Sequence, residues 1–383
     1  MPPHRAGAWS WAGLGHETRS SGCCAGIEPT ADHAVEDCLS NDMLTPQINA
    51  VATATPPDRF TQARILELAG YADAVRRRFF TNSEIDGRYL YLDPNRVSAG
   101  ESVDELNERF CRGALALGEA AARRALAQAG WAPGTLDFLA TTTCTGRMTP
   151  SLDAHLVARL GCRPDVQRVH VGDTGCASAL VALEQAWNHL AAFPTHRALV
   201  VAVEICSAAY FLDERLESAV AHAIFADGAG ALALSTRGAG PSIVAHRTLF
   251  RPEHLGAMGF EYPGGRPRVV LSKEVRRIGS AMMREMAQAL MDAQGLKPDV
   301  VRHWVLHSAG RRVIERAQTL LGLTDAQLAH SRGVLRRAGN MSSATVLFVL
   351  EELLQPAAPV PGEWGVMIAL GPGFAAEGAL LRF

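Results

Sequence analysis

Lysine is nearly missing from this chain: of 37 basic side chains only Lys273 and Lys297 are lysine, and the rest are arginine. A phosphate-bearing ligand must then be held by arginine, by helix N-termini or by backbone N–H groups. Net charge is close to absent as well, −2 over 383 residues, which removes the electrostatic reason to expect a nucleic-acid partner. No run of 18 or more apolar residues occurs, so no membrane span is expected. The eight cysteines form no C-x-x-C pair, and no secretory signal accompanies them. Neither a zinc ribbon nor a disulfide framework is expected, and a reducing cytoplasm fits best.

What is there is ordinary globular material, 48% hydrophobic and 20% charged, enough for one large domain or two fused halves. Residues 1–42 stand apart: rich in Gly, Ser, Ala, Pro and His, without helical or strand period, they read as disordered or as upstream sequence before a natural start at Met43. From Met43 onward apolar strands alternate with amphipathic helices. "INAVATATPP", "LDFLATTTCT", "VQRVHVGDTG", "RALVVAVEICS", "GAGALALS", "HWVLHSAG" and "WGVMIALGPG" read as strands or strand ends. "PSLDAHLVARLG", "CASALVALEQAWNHLAAF" and "SATVLFVLEELL" read as helices. Buried strands separated by helices indicate a layered α/β architecture. The expected arrangement is a pseudo-duplicated five-layered α/β/α/β/α fold, one half spanning 43–240 and the other 241–383.

Three residues stand where chemistry could be done. Cys176, in "GDTGCASALVALEQAW", opens a helix, where unsatisfied N–H groups and the positive end of the dipole favour a thiolate; the alternative is a buried cysteine starting a core helix. His307, in "HWVLHSAGRRVI", ends an apolar strand at the sheet edge where ligands bind in open α/β folds; His303, four residues earlier, is its competitor. Asn340, in "RRAGNMSSATVLFVLEELL", reads as an N-cap, and its amide could also donate toward a thioester oxygen. Taken together they suit one thioester: the cysteine as acyl acceptor, His and Asn polarising a carbonyl and stabilising an enolate or oxyanion.

From about Met43 to Phe383 the chain resembles the chalcone and stilbene synthase superfamily, the type III polyketide synthases, which have the thiolase fold. "TGCASALVAL" looks like the nucleophile segment and "AHAIFADGAGALAL" like the family's Phe-containing segment. "VLHSAG" stands for a His-Pro-Gly-Gly type turn, "GNMSSATVLFVLEEL" for the Asn segment and "ALGPGFAAEGALLRF" for the C-terminal Gly-Pro-Gly loop. The segments "EICSAAYFLDERLESAV", "SEIDGRYL", "HWVLHSAGRRVI" and "SRGVLRRAGN" look most like bacterial 3,5-dihydroxyphenylacetyl-CoA synthases, which build a resorcinol-type ring from malonyl-CoA alone.

The resemblance implies a homodimeric, cytoplasmic acyltransferase that takes CoA thioesters as substrates and needs no cofactor and no metal. Cys176 would carry the growing chain, and His307 and Asn340 would hold the malonyl thioester. Phe225 would gate the CoA tunnel, with core packing as its plainer reading. Val269, Thr149, Ala209 and Ser342 would contact substrate. Val269 stands where the family has a second gate Phe, and Asp86 where plant enzymes show a CoA-binding lysine. The reaction implied is iterative decarboxylative Claisen condensation of malonyl-CoA followed by cyclisation to a resorcinol-type product. Two alternatives stay open: an alkylpyrone or alkylresorcinol synthase using a fatty acyl-CoA starter, and a single-condensation enzyme like β-ketoacyl synthase III.

Overall fold

The computed structural model describes residues 45–93, 101–209, 213, 215–355 and 359–383; the segment 1–42 lies outside them. Residues 43–383 form one compact unit.

Strand β1 (Gln47–Ala54) is followed by a small excursion: β2 (Arg59–Thr61), α1 (Gln62–Ala69), α2 (Ala74–Thr81) and β3 (Gly87–Tyr89). The long helix α3 (Val103–Ala129) leads to β4 (Phe138–Thr143), α4 (Leu152–Leu160), β5 (Gln167–Gly172), α5 (Ser178–Ala192), β6 (Arg197–Ile205), α6 (Leu216–Ile224) and β7 (Asp227–Ser235). The chain then repeats itself. β8 (Ser242–Phe250), a hairpin of β9 (Met258–Glu261) and β10 (Arg268–Leu271), and α7 (Val275–Asp292) precede β11 (Val301–Leu306). After it come α8 (Arg311–Leu321), α9 (Ala329–Ala338), α10 (Thr345–Leu353), β12 (Trp364–Gly371) and β13 (Ala375–Arg382).

The main sheet has nine strands in the order β11-β12-β13-β8-β1-β7-β6-β4-β5. Its two parts meet at β1 and β8 through the single pair Gln47↔Ser242. On one side β4 runs parallel to β6, and β6 antiparallel to β7. On the other, β11 runs parallel to β12, and β12 antiparallel to β13. The repeat is thus visible in strand direction and order, and the link between halves falls between Ser235 and Ser242.

Alternation along the strands sorts the layers, because successive side chains leave opposite faces. In β6, Ala198, Val200 and Ala202 meet α5 and α10, while Leu199, Val201 and Val203 meet α3 and α4. In β12, Met367 and Ala369 face the central helices, while Val366, Ile368 and Leu370 face α7 and α8. The result is five layers: α3/α4, sheet, α5/α10, sheet, α7/α8. A helix flanked by sheets on both sides must be apolar around most of its girth, which is why α5 buries Leu180, Leu183 and Leu190 completely. Each such leucine contributes about 1.5–3 kcal/mol on leaving water.

Candidate active site

Helix α5 does not begin at Cys176 itself. A short 3-10 turn, Gly175–Ala177, carries the cysteine and hands over to the α-helix at Ser178. Gly175 has φ +61°, and a Cβ there would lie 2.2 Å from Pro372 Cδ. Only glycine lets the Gly-Pro-Gly loop of residues 371–373 pack on the turn. The distal half builds its counterpart in the same way: Gly339 has φ +76°, with its hypothetical Cβ 2.6 Å from Arg88 Cγ. Asn340 follows, then the 3-10 turn Ser342–Ala344 and α10.

These two helix starts meet. Cys176 Sγ is hydrogen-bonded to Ser342 Oγ at 3.3 Å, Ser342 N donates to Asn340 Oδ1 at 2.8 Å, and Asn340 Nδ2 donates to Ala309 O at 3.3 Å. Ala309 N in turn donates to His307 O at 2.9 Å. Asn340 also forms a parallel bridge with Phe225: Asn340 N donates to Ile224 O and Ala226 N to Asn340 O. The buried Arg88 donates to Phe225 O at 2.6 Å, fixing the bridge from below. His303 is eliminated as a rival to His307, since its Nε2 is held by Glu363 at 2.7 Å and its ring lies against Phe383. His307 is 1% exposed, and neither of its ring nitrogens has a hydrogen-bond partner.

Next to Cys176 opens a cavity of about 290 Å³. Phe225, Val269, Ala209 and Ser342 line it, as do Phe260 and Leu271 from the β9–β10 region. Thr149 does not. The chain leaves β4 at Thr143 and carries Thr149 to the surface of this chain, exposed and away from the lining. Asp86 is exposed too.

The protonation states differ from the sequence reading. Burial pushes the Cys176 thiol up to about 12, and the nearby Glu204 adds to the rise. The Ser342 hydroxyl and the cysteine's own amide oppose it and are outweighed. A helix start favours thiolate only as far as the sulfur stays solvated, and Cys176 is only partly exposed, at the wall of a mostly apolar cavity. Burial likewise pushes His307 down to about 4. Burial thus biases the thiol and the imidazole alike toward their neutral forms.

Three residues that the sequence reading passed over join the site. Cys144 Sγ lies 3.2 Å from Ser342 Oγ, and Cys206 lines the same cavity. Beneath them sits fully buried Glu204, which accepts from Ser343 Oγ at 2.5 Å, Thr145 Oγ1 at 2.9 Å and Cys144 N at 3.1 Å. A signal was present: Cys144 and Cys206 each follow a strand directly and Cys176 follows β5 by four residues. β5, β4 and β6 are parallel neighbours, so their carboxyl ends share one edge.

Comparison with known proteins agrees with this geometry. Residues 268–383 match the family "Chalcone and stilbene synthases, C-terminal domain", and residues 94–251 match "FAE1/Type III polyketide synthase-like protein". The 3,5-dihydroxyphenylacetyl-CoA synthase of Streptomyces toyocaensis is 33% identical, over 88% of this chain and 90% of its own. The 1,3,6,8-tetrahydroxynaphthalene synthase of Streptomyces peucetius subsp. caesius is 34% identical over 88% and 93%. Among solved structures, PKS-I of the brown alga Ectocarpus siliculosus superposes with a TM-score of 0.82 at 30% identity, covering 88% of this chain and 98% of that one. The thiolase-like layering and these matches together place the chain in the type III polyketide synthase family, as an acyltransferase that condenses CoA thioesters iteratively.

Proposed function

We propose that this enzyme makes a resorcinol-type product of the 3,5-dihydroxyphenylacetyl-CoA kind from malonyl-CoA, with Cys176, His307 and Asn340 as its catalytic residues. The observation that carries the assignment is the hydrogen-bonded chain from Cys176 through Ser342 to Asn340 beside a mostly apolar cavity.

Loading is thioester exchange: Cys176 Sγ forms a bond to the acyl carbon, the bond to the CoA sulfur breaks, and the thiol proton leaves through His307 to the departing CoA thiolate. A neutral imidazole suits that step, because it is free to accept the proton. The next malonyl-CoA then binds with its thioester oxygen toward His307 Nε2 and Asn340 Nδ2. Loss of CO2 leaves an enolate that these donors stabilise in a dry site, where such hydrogen bonds are worth most. The enolate carbon attacks the Cys176 thioester, the carbon–sulfur bond to Cys176 breaks, and the extended chain departs on CoA. Departure of CO2 drives every round, so no nicotinamide, ATP or metal is called on in the reaction.

Phe225, on the backbone bridge to Asn340, is the gate, and Val269, Ala209 and Ser342 shape the chamber in which the chain folds before ring closure. The enzyme acts as a homodimer in the cytoplasm; β5, one of the two edge strands of the nine-stranded sheet, supports pairing with a second copy. Mass spectrometry of products formed from malonyl-CoA alone tests the reading. An aromatic acid or its CoA ester is expected. Products that require a fatty acyl-CoA starter would move the enzyme to the alkylpyrone class, and a single condensation with malonyl carried on a protein would move it to the ketosynthase class.

A further inference from the structure

Away from the cavity, three ligating side chains converge on the inner face of the distal sheet. Strands β8 and β13 pair with Thr248 opposite Glu377 and His246 opposite Ala379. His246 and Glu377 therefore leave the same face as diagonal neighbours. Ala379 packs in the cluster that contains α5, and from that helix comes Glu184. One donor atom from each of Glu184, His246 and Glu377 lies within 4.8 Å of the others.

His246 is 6% exposed, its Nδ1 stands 3.5 Å from Glu184 Oε1, and neither ring nitrogen makes a hydrogen bond of good geometry; the Leu180 carbonyl is the backbone group facing it. An unpartnered imidazole at that depth costs stability unless something absent from the protein meets it. Among the described residues no arginine or lysine is paired with either carboxylate. Burial raises Glu184, lifts Glu377 to about 7 and lowers His246 to about 4. No cationic side chain pairs with either carboxylate among the described residues, and the donor to Glu377 is the Thr248 hydroxyl.

We propose that Glu184, His246 and Glu377 bind one divalent transition-metal ion of the zinc class. One imidazole nitrogen and two carboxylate oxygens form a donor set that zinc accepts, at about 2.0–2.2 Å each, with water in the remaining position. Glu184 is half-buried and supplies the way in from solvent. The Thr248 hydroxyl donates to Glu377 Oε2 at 2.7 Å, orienting the carboxylate as outer-shell groups do. None of the three ligands lines the catalytic cavity or belongs to the hydrogen-bonded chain that joins Cys176, Ser342 and Asn340, so the ion stands apart from the condensing residues. It fastens α5, whose preceding turn holds Cys176, to the strand that follows the Gly-Pro-Gly loop. The site stands independently of the product assignment.

Cobalt(II) added to the chelator-treated full-length protein, followed by absorption spectroscopy and calorimetry, tests this. One ion per chain is expected, with ligand-field bands of nitrogen and oxygen donors and without the intense near-ultraviolet band of a thiolate ligand. Glu377→Gln and Glu184→Gln should each weaken binding by at least about 100-fold, and Thr248→Val by about 10-fold; Cys176→Ser should leave it unchanged. Zinc should raise the wild-type Tm and leave that of Glu184→Gln, a half-exposed position tolerant of the change, where it was. A thiolate band that disappears in Cys176→Ser, affinity unaltered in Glu184→Gln, or no cobalt taken up by the wild type would each overturn the proposal.

Discussion

In the N-terminal half β4 runs out at Thr143 and the next residue is Cys144; in the C-terminal half β11 runs out at Leu306 and the next is His307. The helices that fill the middle layer repeat the pairing. A positive-φ glycine and a 3-10 turn put Cys176 ahead of α5, and the same device puts Asn340 and Ser342 ahead of α10. Equivalent positions of a duplicated scaffold thus hold sulfur on one side and imidazole and amide on the other. The scaffold decides where a side chain stands, and the residue type decides what it does there. Burial acts in opposite directions on the two sides, raising the thiol to about 12 and lowering the imidazole to about 4, because it disfavours whichever form is charged.

The sharpest way to break this comparison is to take the sulfur from one half. Cys176→Ala should abolish condensation, by at least about a thousandfold, since no covalent carrier remains. Cys144→Ser should leave chain carrying intact if Cys176 is the carrier; the reverse result in a product assay would reassign the nucleophile. On the opposite side, His307→Gln should lower malonyl-CoA decarboxylation by about 10²–10³, the usual cost of one oxyanion donor. Decarboxylation at the wild-type rate would remove His307 from the chemistry and leave the distal half with Asn340 alone.

How far the sequence alone reaches follows the same division. α5, α10, β6 and β12 were legible because an element covered on both faces is apolar throughout and its neighbours are marked by glycine. The identity of Cys176, His307, Asn340 and Phe225 came from motif order, and periodicity could not have supplied it. Depth was not legible. Nothing in "TGCASAL" tells that Glu204 stands near enough to the sulfur to oppose the thiolate that the helix start favours. Nor does local pattern reveal long-range pairs: Glu204 with Ser343, or Glu184 with His246 and Glu377, are separated by scores of residues and joined only by the packing of helices and turns on the sheet. The place of Thr149, outside the cavity lining of its own chain, was not legible for a related reason, because the loop after β4 has no period to say which way it turns.

The glycines ahead of the two turns allow a finer test. Gly175→Ala forces a Cβ to 2.2 Å from Pro372, and Gly339→Ala to 2.6 Å from buried Arg88. Each also adopts a left-handed backbone that costs an L-residue about 1–2 kcal/mol. With the clash added, denaturant unfolding should show losses of about 3 kcal/mol or more at both positions. Gly130→Ala, with φ +68° and nothing within 4 Å, should cost only about 1 kcal/mol. Equal costs at all three would mean that neither turn is pinned by its neighbour.

The smallest effect asks whether a neutral buried imidazole is peculiar to the C-terminal half. His222, on α6 of the N-terminal half, is 2% exposed, its Nδ1 2.7 Å from the Tyr71 hydroxyl, and burial lowers it to about 3, with Arg88 adding to the shift. The folded state refuses a proton that the unfolded chain accepts below about 6.5. Its contribution is therefore complete above that pH and is lost as pH falls, at about 1.4 kcal/mol per unit. The raised carboxyls of Asp227 and Glu377 act in the opposite sense, because there the folded state holds the extra proton. Comparing wild type with His222→Gln isolates the histidine from them. Between pH 7 and pH 5 the wild type should lose about 2 kcal/mol more than the variant. Parallel losses would mean that His222 is protonated inside the fold, and that burial does not silence charge equally in the two halves.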